Sequence, residues 1–199
     1  MPDRIVVFID AQNTYRQARR AFFRGSTYHV DGQFNPVALA SYITSNGPAG
    51  SNRVLHQVRI YTGRPDSTKQ PKSHAPHMKQ CAAWEAAGAK VIYRMLRYPR
   101  NWPIEREEEK GIDVALAIDF VAMAIDREYD IGVMVSADTD LIPALELVIR
   151  KHSPKTVEVA SWGGLERRRL RVPGQNVWCH WLDQTIYNAV ADTTDYSRP

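Results

Sequence analysis

Four aspartates in three short stretches carry the chemistry that this chain could perform. The apolar run Ile131-Gly132-Val133-Met134-Val135 stops in Ser136-Ala137-Asp138-Thr139-Asp140, two carboxylates directly after a strand-like segment. Phe8-Ile9-Asp10-Ala11-Gln12-Asn13 repeats the pattern near the start, with an acid after an apolar run and an amide three residues on. Lys110-Gly111-Ile112-Asp113 places a third acid in the first turn of a predicted helix, and Asp119 follows deeper in that helix. Taken singly, these acids have ordinary structural readings. Asp10 and Asp140 sit where an N-cap accepts free backbone N–H groups, and Asp113 complements a helix dipole. Asp138 is harder to explain that way, because it lies between the apolar run and the next cap position. Asp119 turns to a different helical face from Asp113 and reads first as a hydrogen-bonded buried carboxylate, with support of a site as its lesser role.

The joint reading is stronger than the single ones. If the strands ending in Asp10 and Asp138 are neighbours, and the helix opening at Asp113 starts at the same sheet edge, then Asp10, Asp113, Asp138 and Asp140 converge. Gathered carboxylates repel one another and lose hydration. A divalent cation with all-oxygen ligands offsets both costs, which points to Mg²⁺ or Mn²⁺.

The elements that would position these acids alternate along the chain. Predicted strands are Arg4–Ile9, Val54–Tyr61, Lys90–Met95, Ile131–Ser136 and Thr156–Ala160, with Val177–Trp181 as an edge strand. Between them lie predicted helices at Asn13–Phe23, Pro36–Ser45, His77–Ala87, Ile112–Arg127 and Leu141–Lys151, and a closing helix at Asp183–Ala191. Alternation of this kind implies right-handed crossovers and parallel pairing. The expected fold is therefore α/β, a three-layer α/β/α Rossmann-like domain around a central, mostly parallel sheet. Ligands of such sheets bind in the crevice outside the carboxyl ends of the strands, where the acids are predicted to lie. Residues 1–191 are expected to form one domain and 192–199 a flexible polar tail. Three connections, at 25–35, 62–76 and 96–110, are longer than linkage alone requires.

Composition narrows the classes. A chain of 199 residues with 44% hydrophobic and 24% charged residues is long enough to bury a full core. The net charge of +4 suits a polyanionic partner without requiring one. Cys81 and Cys179 are far apart, so neither a zinc site nor a disulfide framework is supported and a cytoplasmic location is the default. Ile5–Ile9 is too short for a signal-peptide core, and Val114–Ile125 is interrupted by Asp119, so no membrane association is expected. No Ser/His/Asp or Cys/His constellation is evident.

Together, Phe8–Asn13, Lys110–Asp119 and Val135–Asp140 resemble the three signature blocks of the NYN domain, part of the PIN-like nuclease superfamily that includes the bacterial LabA-like proteins. The blocks occur in the family's order. The resemblance implies a PIN-like fold and an enzyme: a Mg²⁺- or Mn²⁺-dependent ribonuclease acting on single-stranded or structured RNA. Asp10, Asp113, Asp138 and Asp140 would then be the catalytic, metal-holding residues. Asn13 and Ser136 would orient them, Lys110 would lie beside the site, and Asp119 would give secondary support. Ala11 and Ala137 stand where glycine is common in the family, and Thr139 where serine is common, but no metal ligand is lost.

RNA would be gripped by Arg16 and Arg20 on the first helix, Arg64 and Lys72 in the second long connection, and Arg97, Arg100 and Trp102 in the third. Phosphate contacts with interleaved aromatic rings are how single strands are held. A solvated charged face is the alternative meaning of the same residues. The dense cluster Arg167–Arg171 either touches RNA or pairs with Glu105–Glu109 or another acidic surface. Two other function classes stay open: a non-catalytic RNA-binding or regulatory module of the same fold, and a phosphatase or phosphotransfer receiver, which the missing DxDx[TV] block after the first strand disfavours. A homo-oligomer is compatible with the sequence.

Overall fold

The computed structural model describes residues 1–164 and 168–198. Strand β1 (Asp3–Asp10) sets the architecture, because Ile5–Ile9 are five successive residues with no exposed surface. A strand buried on both faces needs cover above and below it. It is flanked by β2 (Arg53–Arg64) and β4 (Ile131–Val135), and the sheet extends outward through β3 (Ala89–Met95), β5 (Val157–Trp162) and β6 (Trp178–Leu182) in the order β3-β2-β1-β4-β5-β6. Every pairing among the described strands is parallel, so the sheet is wholly rather than mostly parallel.

Helices cover both faces. Helices α1 (Ala11–Phe22), α2 (Pro36–Ser45), α3 (Pro71–Ala86) and α6 (Gln184–Val190) bury Ala18, Leu39, Trp84 and Tyr187 against one face. On the other, α4 (Ile112–Ile125) and α5 (Ile142–Lys151) bury Leu116, Phe120 and Leu145. The β5–β6 connection has no regular helix over its described part. Leu170, Val172 and Val177 pack into that second layer instead.

The elements match the predicted order, with two corrections that affect the site. First, the expected connection at 62–76 is much shorter: β2 continues to Arg64, and α3 starts at Pro71 rather than at His77. Proline fits the first turn of a helix, where its missing N–H costs nothing, so the proline-rich composition that suggested a loop instead opens a helix. Second, Asp140 is not a helix cap. Asp138 caps a single 3₁₀ turn at Thr139–Leu141 by accepting the N–H of Asp140 at 3.1 Å. The 96–110 connection does exist, and its ends are tied by a two-way backbone bridge between Arg97 and Glu108 at 2.9 Å. In the terminal segment, Asp195 contacts His29 at 3.0 Å and the Arg198 carbonyl accepts from Lys79. No described helix is long and apolar enough to cross a membrane.

Candidate functional site

The order in which strands are added reverses at β1 and β4, with β2 and β3 on one side and β5 and β6 on the other, and this switch point is where parallel sheets leave a crevice. The register pairs Ile9 with Val135, so Asp10 and Ser136 emerge side by side. Asp10 is 4% exposed and caps α1, accepting the Asn13 N–H at 3.0 Å and the Ser136 hydroxyl at 3.2 Å. The Asn13 side-chain oxygen accepts the Ala137 N–H at 3.0 Å, and Ser136 Oγ accepts the Asp138 N–H at 3.1 Å. Asn13 and Ser136, expected to orient the acids, thus stitch the end of β1 to the end of β4. Gln17 donates to the same Asn13 oxygen and accepts from Ser161 on β5, which extends the network one strand further.

Asp113 arrives from the opposite helical layer. Gly111 precedes α4 with φ +78°, a left-handed conformation that suits glycine, and Asp113 follows in the first turn. Burial pushes the Asp10 carboxyl up to about 7, and the charges of Asp113 and Glu109 add to the rise against the two hydrogen bonds that lower it. Partial loss of hydration also raises Asp113, as do the charges of Asp138 and Asp140. The four predicted aspartates therefore feel one another through Asp113. Asp10 is buried, Asp138 half-buried, and Asp113 and Asp140 exposed. Among the described residues, no group of three or more His, Cys, Asp or Glu side chains is already gathered tightly enough to hold an ion.

Glu109 was not singled out for the site by the sequence. It accepts the Gly63 N–H at the end of β2 at 2.9 Å, and burial raises its carboxyl while Arg16 lowers it. A Cβ on Gly63 would lie 2.5 Å from Glu109 Oε1, so the glycine makes room for this contact. In the sequence Glu109 is the last of a glutamate run, which reads as solvated surface. Its only sequence signal is its place immediately before Lys110-Gly111.

The remaining predicted residues are dispersed around the crevice. Asp119 is paired with Arg59 and accepts the Tyr61 hydroxyl at 2.8 Å, hydrogen-bonded as expected but half-buried rather than buried. Lys110 is exposed just ahead of α4. Arg16 lies exposed on α1, and Arg20 lines a cleft of ≈ 620 Å³ with Arg19, Arg24 and Arg168. Arg64 is half-buried over the Tyr93 ring at 4.6 Å. Lys72, Arg97 and Arg100 are exposed, and Trp102 packs edge-on to Tyr98 at 5.4 Å. Arg167, part of the predicted arginine cluster, lies outside the described residues.

Residues 4–171 match the NYN domain family. Among solved structures, a protein of unknown function from Vibrio parahaemolyticus RIMD 2210633 superposes with a TM-score of 0.51 at 16% identity, over 95% of this chain and 90% of that one. At that identity the likeness is one of fold. No curated protein matches the sequence.

Proposed function

We propose that this chain, which belongs to the NYN domain family and shares its PIN-like nuclease fold, is a metal-dependent ribonuclease with its centre at the β1–β4 switch point. The observation that carries the reading is Asp10: a buried carboxyl at the strand end, raised to about 7 partly by the charges of Asp113 and Glu109. Acids that raise one another in this way are relieved by a cation, and the donors offered are all hard oxygens suited to Mg²⁺ or Mn²⁺. Asp10, Asp113, Asp138 and Asp140 would hold it, with Glu109 at the rim. When bound, such an ion supplies charge neutralisation at the phosphate and a more acidic water.

The chain's own residues supply positioning. Asn13 N–H and Ser136 Oγ–H fix both oxygens of Asp10, each of which retains a free lone pair. The Asp140 N–H fixes Asp138 at the mouth of β4. Lys110 and Arg16, exposed on two sides, offer cations to the phosphates of the incoming strand. The test is cleavage of single-stranded RNA in Mn²⁺ by Asp10→Asn and Asp138→Asn proteins. Each is expected to lose more than about 100-fold in rate, and undiminished cleavage by both purified, folded variants would overturn the reading.

One observation favours a second reading, a binding module that turns over little: the exposed Asp113 and Asp140 are not drawn into a ready cluster with Asp10. Tight, salt-sensitive RNA binding without Mn²⁺-stimulated cleavage by the unmodified chain would select it.

A further inference from the structure

Beside the acids lies a cleft of different chemistry. It encloses ≈ 490 Å³ between α1, α3 and the end of β2, a size ordinary for a small-molecule site. Ala11, next to Asp10, and Glu109 line it, so it lies beside the proposed centre. Its walls are flat rings and amides: Tyr15, His77 and Trp84 supply the rings, and Gln12, Gln33 and Gln80 the amides. Among the described residues, no arginine or lysine lines it. Burial lowers His77 to about 4, so that ring is neutral at neutral pH. With Glu109 as its carboxylate and its second histidine, His29, turned onto Asp195 at 3.0 Å, the lining disfavours phosphate and suits a neutral, planar, polar group.

Two wall residues also carry orphaned polar atoms. The indole N–H of Trp84, a residue 6% exposed, and the side-chain oxygen of Gln33 are buried and hydrogen-bond to nothing among the described residues. An unmet buried donor or acceptor destabilises the fold. Neither atom exposes surface to the cleft, so a ring with an in-plane acceptor and donor would reach them only after the wall side chains shift.

We propose that this cleft takes one unpaired nucleobase of the RNA strand, the nucleotide adjacent to the phosphate held at the acids, and so sets a base preference. The nucleotide's place beside a reacting phosphate rests on the nuclease reading; the ring-binding chemistry does not. Bases of single strands are commonly splayed out, stacked on aromatic side chains and read along their edges by hydrogen bonds. The amides here each offer a donor and an acceptor.

The experiment measures binding of adenosine, guanosine, cytidine and uridine to the full chain in EDTA, by saturation-transfer NMR and titration, with ribose 5-phosphate as the phosphate-bearing control. The expected result is a clear preference for one or two nucleosides and no binding of the control. Trp84→Phe keeps an aromatic ring but removes the indole N–H together with the second ring, and Gln33→Leu removes the amide. Each should weaken the preferred nucleoside about 5- to 10-fold. Gln80→Leu, on the partly exposed side of α3, gives the same readout if Trp84→Phe does not fold. Nucleoside binding that is absent at millimolar concentration, or that all three variants leave unchanged, would overturn the proposal. Selective nucleoside binding by a chain that cuts no RNA supports the cleft while defeating the nuclease reading. Cleavage without nucleoside binding does the reverse.

Discussion

Asp10 concentrates the chemistry of the site in one titrating group. Its folded-state value of about 7 lies above the 3.8 of a free aspartate, so the fold binds this proton more tightly than the unfolded chain does. The associated stability is complete below about pH 4 and is lost as pH rises through 7. Converted at 1.36 kcal/mol per unit, the loss is at most about 4 kcal/mol. We predict that the metal-free protein loses thermal stability between pH 4 and pH 8 relative to Asp10→Asn, which keeps the cap acceptor but cannot ionise. Adding Mn²⁺ at pH 8 should raise the midpoint of the unmodified chain and leave that of the variant nearly unchanged. Parallel pH profiles for the two proteins in differential scanning calorimetry would defeat this account of Asp10.

At the scale of elements, the distance between Asp113 and Asp10 is governed by how α4 sits on the sheet. Phe8 of β1, Phe120 of α4 and Tyr129 after it form an aromatic trio with ring centroids 5.1–5.8 Å apart, and the Tyr129 hydroxyl donates to the Phe120 carbonyl at 2.7 Å. Gly132 of β4 leaves the space they fill: a Cβ there would lie 2.7 Å from the Phe120 ring and 2.8 Å from that of Tyr129. Gly132→Ala should therefore cost about 1–3 kcal/mol through overpacking, read as a lower urea midpoint with an unchanged slope. The same substitution should reduce RNA cleavage, because it lifts the helix that delivers Asp113. An unaltered midpoint would mean that α4 yields without strain.

Across the whole molecule, a buried ion cluster ties strands that are not neighbours. Arg53 at the start of β2 donates to Glu158 of β5 at 2.6 Å, and Glu158 also meets His180 of β6 at 2.7 Å, with the three side chains 2–4% exposed. The contact reaches past β1 and β4 at the end of the sheet opposite the acids. Removing one partner from a buried pair leaves the other charge unpaired, at a cost of about 3–5 kcal/mol. Arg53→Met is expected to lower stability by that amount in urea titration while RNA binding at 25 °C stays intact, since the site lies at the far end of the strands. A variant as stable as the parent would show that His180 alone satisfies Glu158.

Much of this was legible in the sequence, and the limit is physical. Alternating apolar runs and amphipathic stretches set the element types and their order, because hydrophobic periodicity is a local property. The same locality placed Asp10 and Asp138 at strand ends and Asp113 in a first turn, and it gave Asp119 its hydrogen-bonded role. The connection at 62–76 was misjudged because proline is ambiguous between a loop and a helix start. The cap fell on Asp138 rather than Asp140 because a single 3₁₀ turn intervenes between β4 and α5. Tertiary structure alone decided that β1 lies beside β4, with Asp10 hydrogen-bonded to Ser136, 126 residues away. It alone brought Glu109 back to Gly63 and opened the ring-lined cleft beside the acids. Those contacts join segments whose separation in the chain leaves no periodic trace, and only the packing of two helical layers on one sheet selects them.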